Sequence, residues 1–379
     1  MEFNEGNAMR RWMALPAALL LLVLVIAGCG GGGSSSSSES TEAAETEAPA
    51  EETGGEEEGG AEETSGGGEK VFYISPVAAQ PGQQQINEGL EQGSEELGWS
   101  ESVLDSALSA EKQVSNVEAA INQGASAITS WTLDPNAVAG AYEKAQKKNI
   151  PVIGMNSQGT GVTSSIWWEV QLCEPGGPQQ RSAEMIAKMK PGAKTIMIGL
   201  EVAESTKALG DCFKQEAEKA GLDIINITNN EADNAAGSQK VFEPLLTKYP
   251  EVEAVWDYND ESAMGVSAAL LAGGKTIAST EEPEGVIVVG SNGDQDAIEA
   301  VEEGRLSWTW DPDNLASGFA AIKEMDAALE GEKSDGLIVE SILVSKETIG
   351  EYVPFNEREY TLEKLPVKEV KGEVTIAKG

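Results

Sequence analysis

The residues best equipped for chemistry stand together at Asp257-Tyr258-Asn259-Asp260, directly after the apolar run Ala254-Val255-Trp256. Two carboxylates this close could be imagined as an acid–base pair for hydrolysis. The small-residue stretch that follows, with Glu261, Ala263, Met264, Val266 and Ala268, has a helical pattern. The polar cluster therefore sits at a strand-to-helix turn, where neighbouring carboxylates rarely face each other across the roughly 5–10 Å that glycoside hydrolysis uses. The carboxyl end of a strand in an open α/β sheet is instead a place where such sheets bind ligands. Asn259 is read as facing a ligand, and Asp260 as capping the helix that follows.

The rest of the composition agrees with binding rather than reaction. The chain of 379 residues has no histidine, which removes the commonest general base and metal ligand. It has no G-x-S-x-G elbow and no phosphate-binding loop. Its net charge of −38 makes nucleic acid a poor partner, because phosphate binding needs clustered Lys and Arg. With three cysteines and no third ligand at a sensible spacing, no metal site is expected, and no cofactor. The chain is read as a non-enzyme.

The elements that must position Asn259 alternate strand and helix from Lys70 onward. Val71–Ile74, Ser102–Asp105, Ala127–Ser130, Pro151–Met155 and Ser164–Val170 read as strands, separated by helical stretches such as the one opened by Asp134-Pro135. Cys173-Glu174-Pro175-Gly176-Gly177-Pro178 interrupts the pattern, which then restarts at Thr195–Gly199. Further strands follow at Leu222–Ile227, Val252–Asp257, Val286–Gly290 and Leu306–Trp310, with a single last strand over Gly336–Leu343. Asp311-Pro312 reads as another helix opening. Two such arrays argue an α/β fold of two doubly wound parallel-sheet lobes. Polar or aromatic residues recur at the strand ends of both: Ser75, Trp131, Asn156, Asn259, Asn292 and Asp311. Amides and carboxylates donate to and accept from hydroxyl groups, and indoles cover the C–H faces of a sugar ring. Trp131 and Trp310 are favoured as site residues, while Trp256 and Trp308 are equally compatible with core.

Ahead of Lys70, Arg10 and Arg11 precede an apolar run from Trp12 to Ile26, the form of an export signal and short for a bilayer span. The quartet Ile26-Ala27-Gly28-Cys29 resembles the lipobox of bacterial lipoproteins, which implies a signal peptide over 1–28 and a diacylglycerol on Cys29. Residues 30–69 contain no large apolar residue and twelve of the acidic ones, a composition that cannot fold. As a flexible tether it would reach on the order of 35 Å. If Cys29 is lipidated, Cys173 and Cys212 remain as an even pair in an oxidising compartment, either bridged or separately buried.

From about Lys70 to Val344 the chain resembles the periplasmic sugar-binding proteins of the ribose/galactose-binding type (type I periplasmic binding proteins). The segments that carry the resemblance are Gly124-Ala125-Ser126-Ala127-Ile128, Asn149-Ile150-Pro151-Val152-Ile153, Leu245-Leu246-Thr247, Ala254 to Glu261, Val288-Val289-Gly290-Ser291-Asn292-Gly293 and Gly304-Arg305-Leu306. The resemblance implies three hinge crossovers near Gln171-Leu172, Asp311-Pro312 and Glu340-Ser341. It divides the chain into an N-terminal lobe of 70–171 plus 312–341 and a C-terminal lobe of 172–311 plus 342–360, with 361–379 a tail without an assigned role. Ligand-binding roles fall by this likeness on Asn156, Lys207, Asn259, Asn292 and Asp311; Ser75, Gln83, Trp131 and Trp310 complete the candidate set. Asn156 and Ser157 stand where ribose-type members have Asp and Arg, which argues against ribose itself. The loop from Ala78 to Gln83 lacks the aromatic residues that stack on sugars in that family.

The expected function is capture of a small polar ligand, a sugar or polyol, for delivery to an ABC permease outside the cytoplasm. The protein is expected to be monomeric and held to the membrane by its lipid alone. The alternatives are a sensor for a chemoreceptor or kinase, or a non-sugar ligand such as a nucleoside or amino acid.

Overall fold

The computed structural model describes residues 68–372 and 374. The expectations for the signal peptide, for lipidated Cys29 and for nearly all of the tether lie outside the described residues. Among the described residues no helix is long and apolar enough to cross a membrane.

The first array runs β1 (Lys70–Ser75), α1 (Pro81–Leu97), β2 (Ser100–Asp105), α2 (Ala110–Asn122), β3 (Ala127–Ser130), α3 (Pro135–Lys147), β4 (Val152–Met155) and β5 (Ser164–Trp168). The second runs α4 (Pro178–Met189), β6 (Lys194–Gly199), α5 (Glu204–Lys219), β7 (Asp223–Asn229), α6 (Ala235–Lys248), β8 (Ala254–Asp257), α7 (Asp260–Ala272), β9 (Ile287–Ser291), α8 (Gln295–Glu303) and β10 (Trp308–Asp311). The chain then gives α9 (Asn314–Leu329), β11 (Leu337–Val339), β12 (Ile342–Ser345) and β13 (Val367–Glu369). The central strands β3, β4, β5, β8, β9 and β10 are buried along their whole length, as strands covered by helices on both faces must be.

The strands form two sheets, ordered β13-β11-β5-β4-β3-β1-β2 and β12-β10-β9-β8-β6-β7. Each is parallel except for one antiparallel edge strand, β13 against β11 and β12 against β10. In each sheet the order reverses beside the array's first strand, between β1 and β3 and between β6 and β8. Such switch points open a crevice at the strands' carboxyl ends.

Among the described residues three short links join the sheets: the 3-10 helix Glu169–Gln171 with the turn after it, residues 312–313, and Glu340-Ser341. The stretch read as one strand over 336–343 is two strands in different sheets, because the third link falls in its middle. The 346–366 segment then leads from β12 in the second sheet to β13 on the first.

Helix α9 follows the second link and packs on α1 of the first lobe. Glycines permit the contact: a Cβ on Gly89 would lie 2.1 Å from the Leu315 carbonyl oxygen, and one on Gly318 would lie 2.3 Å from that of Ile86. This close approach sets the start of α1, which carries Gln80 and Gln83 into the space between the lobes.

Candidate functional site

The carboxyl ends of the two sheets face one another across a cleft. Its wall takes Pro76 and Val77 from the end of β1, Trp131 from β3 and Trp168 from β5, and opposite them Leu200 from β6, Tyr258 and Asn259 from β8 and Asn292 from β9. Counted out to its mouth, open solvent included, the empty volume is about 570 Å³.

Trp131 and Trp168 form the aromatic part, edge to face with ring centroids 4.7 Å apart. Buried Gln113 holds the loop that carries Trp131, donating to the Trp131 carbonyl at 2.6 Å and accepting from Leu133 N–H at 2.9 Å. Trp131 Nε1 in turn donates across the cleft to Ser205 Oγ at 3.0 Å, in the first turn of α5.

Asp233 is the polar centre of the opposite wall. Tyr258 OH donates to its Oδ1, Asn259 Nδ2 donates to the same oxygen at 3.0 Å, and Gln80 Nε2 of the first lobe donates to Oδ2 at 2.5 Å. Burial raises the Asp233 carboxyl above the usual range against the pull of those three donors. Asn259 also caps α7, its Oδ1 accepting from Ser262 N–H at 2.9 Å. The cap is therefore Asn259 and not Asp260. Asp260 is fully buried and faces sideways, accepting from Thr309 Oγ1 at 2.5 Å and from Asp294 N–H at 2.9 Å. Asp311-Pro312 does not open a helix directly either, since Asp313 is the cap of α9.

Of the nine candidate ligand residues, Gln83, Trp131, Asn259 and Asn292 line the cleft. Ser75 lies just beneath, donating to Gln83 Oε1 at 3.3 Å. Asn292 holds φ at 137°, a backbone region that glycine usually occupies, at the end of β9. Asn156 lines an adjoining cavity with Ser157, Gln171 and Glu204. Its Oδ1 accepts from Trp168 N–H at 2.7 Å, while its Nδ2 and Gln171 Oε1 are buried without a protein partner.

Three candidates stand elsewhere. Lys207 points along α5 to Asp211 at 2.5 Å and lines a separate groove; Thr206 of the same helix faces the cleft. Trp310 is core, 1% exposed, with its Nε1 donating to Ser182 Oγ at 2.8 Å and the Arg181 guanidinium 4.6 Å from its ring. Asp311 is buried against Arg358 and Tyr352 of the C-terminal segment. Trp256 is also core, stacked on Phe213 at 4.9 Å.

Asp233, Trp168 and Gln80 also line the cleft and are absent from the candidates that the sequence offers. Trp168 lies in the connecting region where tryptophans cluster, so a signal existed; Asp233 and Gln80 lie in loops without periodicity. Cys173, after the first link, and Cys212, on α5, are bridged with Cα atoms 5.6 Å apart.

Two doubly wound lobes with a polar and aromatic cleft between their strand ends define a two-lobed binding clamp. Comparison with known proteins makes this specific: residues 71–333 match the periplasmic binding protein domain family. The chain belongs to that family, whose members act outside the cytoplasm. It is 31% identical over 254 residues to the ribose import binding protein of Escherichia coli (strain K12), an alignment covering 65% of this chain and 80% of that one. The corresponding protein of Bacillus subtilis (strain 168) is 27% identical over 250 residues, covering 65% and 77%. These relatives are import binding proteins and not enzymes.

Among solved structures, an ABC transporter solute binding protein from Bacillus halodurans C-125 with bound myo-inositol has a TM-score of 0.65 at 21% identity, covering 76% of this chain and 98% of that chain. One from Actinobacillus succinogenes 130z with bound D-allose has a TM-score of 0.65 at 18% identity, covering 75% and 100%. At these identities the likeness concerns the fold.

Proposed function

We propose that this protein captures a sugar or polyol in the cleft between its lobes and delivers it to an ABC permease. The observation that carries this reading is the make-up of the cleft and of the cavity beside it, which share Gln171. Indole faces of Trp131 and Trp168 stand beside buried amide groups, Asn156 Nδ2 and Gln171 Oε1, that have no protein partner. An unpaired donor and an unpaired acceptor suit a hydroxyl group, which can satisfy both. The relatives named above are ribose import binding proteins, and two structural neighbours hold myo-inositol and D-allose, all polyhydroxylated. Asn156 and Ser157 differ from the ribose-type pair, which favours a ligand other than ribose. The protein works as a monomer, held at the outer face of the membrane by lipid on Cys29 and the acidic tether.

A thermal-shift panel tests the reading, with D-ribose, D-allose, D-arabinose, myo-inositol and glycerol set against amino acids and nucleosides. A ligand at 100 times its Kd adds about 2.7 kcal/mol of stability, a clear rise in Tm. A shift with a sugar or polyol alone supports the proposal; a shift confined to amino acids or nucleosides overturns it.

A further inference from the structure

The C-terminal segment makes a fourth link between the lobes, and one of its side chains is inserted into the hinge. Between β12 and β13, Arg358 lies between two carboxylates that bracket Pro312, Asp311 at the end of β10 and Asp313 in the second link. Its Nη2 donates to Asp311 Oδ2 at 2.5 Å, and its Nη1 is 3.2 Å from Asp313 Oδ1. The three side chains are 4%, 3% and 1% exposed. Two tyrosines complete the contact: Tyr352 OH donates to Asp311 Oδ2 at 2.8 Å, and Tyr360 OH to Asp313 Oδ2 at 2.5 Å.

The same carboxylates shape the backbone of the link. Asp311 Oδ1 accepts from Asp313 N–H at 2.8 Å, and Asp313 Oδ1 accepts from Ala316 N–H at 3.1 Å. Asp313 itself stands at φ 55°, a left-handed conformation uncommon outside glycine and most accessible to Asp and Asn.

The strap is fixed on both sides of Arg358. Toward the first lobe, Tyr360 packs edge-on against Phe319 of α9, Leu362 N–H donates to Glu96 of α1 at 3.1 Å, and Lys323 Nζ donates to the Leu362 carbonyl at 2.8 Å. Toward the second lobe, Ile349 packs on that lobe's core and β12 pairs with β10. Arg358 thus sits where the strap passes from one lobe to the other.

We propose that Arg358 is a hinge-positioning residue: by holding Asp311 and Asp313 at once it fixes the second link in the geometry that keeps the lobes in contact. Two buried carboxylates flanking Pro312 repel one another without a cation between them. A planar guanidinium offers parallel donors to both, which a lysine ammonium on its single point charge does not. Ligand affinity then depends on Arg358 although it lines no part of the cleft. This rests on the reading of the two lobes as a clamp.

Hydrogen exchange on the full chain without any sugar tests it. Arg358→Ala would strand two buried carboxylates and put folding itself at stake. The comparison therefore uses Arg358→Lys and the double variant Tyr352→Phe/Tyr360→Phe, which keeps the ion pairs and removes two hydrogen bonds. In both, residues 129–133 and 202–207, which meet across the cleft, should exchange faster by about threefold or more, while α2 and α6 keep wild-type rates. Unchanged exchange at the cleft segments in both variants overturns the proposal, as does an equal rise throughout the molecule. Because no sugar is added, an empty sugar panel leaves this outcome untouched, and failure here leaves the sugar reading standing.

Discussion

Trp131 and Ser205 tie the two lobes together directly, the indole Nε1 donating to the seryl Oγ at 3.0 Å across the cleft. The indole proposed to offer its face to a ligand is thereby also a latch. Ser205→Ala removes the latch and leaves the aromatic face, and a net hydrogen bond is worth about 1 kcal/mol. The sugar that gives the largest thermal shift should bind this variant about fivefold more weakly, and Trp131→Ala more than tenfold more weakly, since stacking area goes as well. Titration calorimetry checks both; equal affinity in Trp131→Ala and wild type would remove Trp131 from the site.

Asn259 serves the helix and the site with different atoms, so its substitutions separate the two. Asn259→Ala loses the cap of α7 at a cost of about 1 kcal/mol and removes one of the two donors to Asp233 Oδ1, leaving Tyr258. Asn259→Asp keeps the capping oxygen but places a second carboxylate against Asp233. Both should abolish the sugar-dependent thermal shift. Asn259→Asp should unfold at a denaturant midpoint nearer wild type than Asn259→Ala. A preserved sugar shift in either variant would count against Asn259 as a ligand-facing residue.

These two residues also mark how far the sequence could be read. Strands covered on both faces announce themselves as apolar runs, so the two arrays and the strand-end position of Trp131 and Asn259 were legible. Asp233 was not, because it lies in an aperiodic loop and reaches the cleft through a left-handed turn at φ 49°. Trp310 stands near a strand end yet is core, 1% exposed, because nearness to a strand end does not say which face a side chain takes. In a strand, Trp308 and Trp310 share one face, and here both indoles donate to Ser182 of α4. The burial of Asp311 depends on Arg358, 47 residues further on in a weakly patterned stretch, and local pattern carries no trace of such a contact.

Trp310→Phe should therefore behave as a core substitution. It deletes the bond to Ser182 and part of a fully buried ring, lowering stability by about 1–3 kcal/mol. Sugar affinity should stay within twofold of wild type. A large loss of affinity at unchanged stability would return Trp310 to the ligand site.

The bridge between Cys173 and Cys212 joins the turn after the first hinge link to α5, whose first turn carries Ser205 and Thr206 to the cleft. Closing a loop of 39 residues restricts the unfolded chain by about 4 kcal/mol. Cys173→Ser/Cys212→Ser should unfold at lower denaturant by that order. Reductant should lower the wild-type midpoint and leave the variant unmoved; a midpoint indifferent to reductant in both would show that the bridge does not form.

Acidity should stabilise this protein over the range in which most proteins are indifferent. Burial raises the Asp260 carboxyl from 3.8 to about 7, against hydrogen bonds from Thr309 and Asp294 and reinforced by the charge on Asp311. Burial, helped by Asp233, raises Glu261 from 4.5 to about 7. Buried Asp257, whose oxygens have no protein partner, is raised as well. A raised carboxyl means that the folded state holds the proton more tightly than the unfolded chain does. Its contribution is complete below about pH 4 and is lost as pH climbs through about 7. The denaturant midpoint should accordingly fall from pH 5 to pH 8. Glu261→Gln, which cannot ionise, should show a shallower fall. A midpoint that rises with pH over this interval would mean that these carboxyls are ionised in the folded protein.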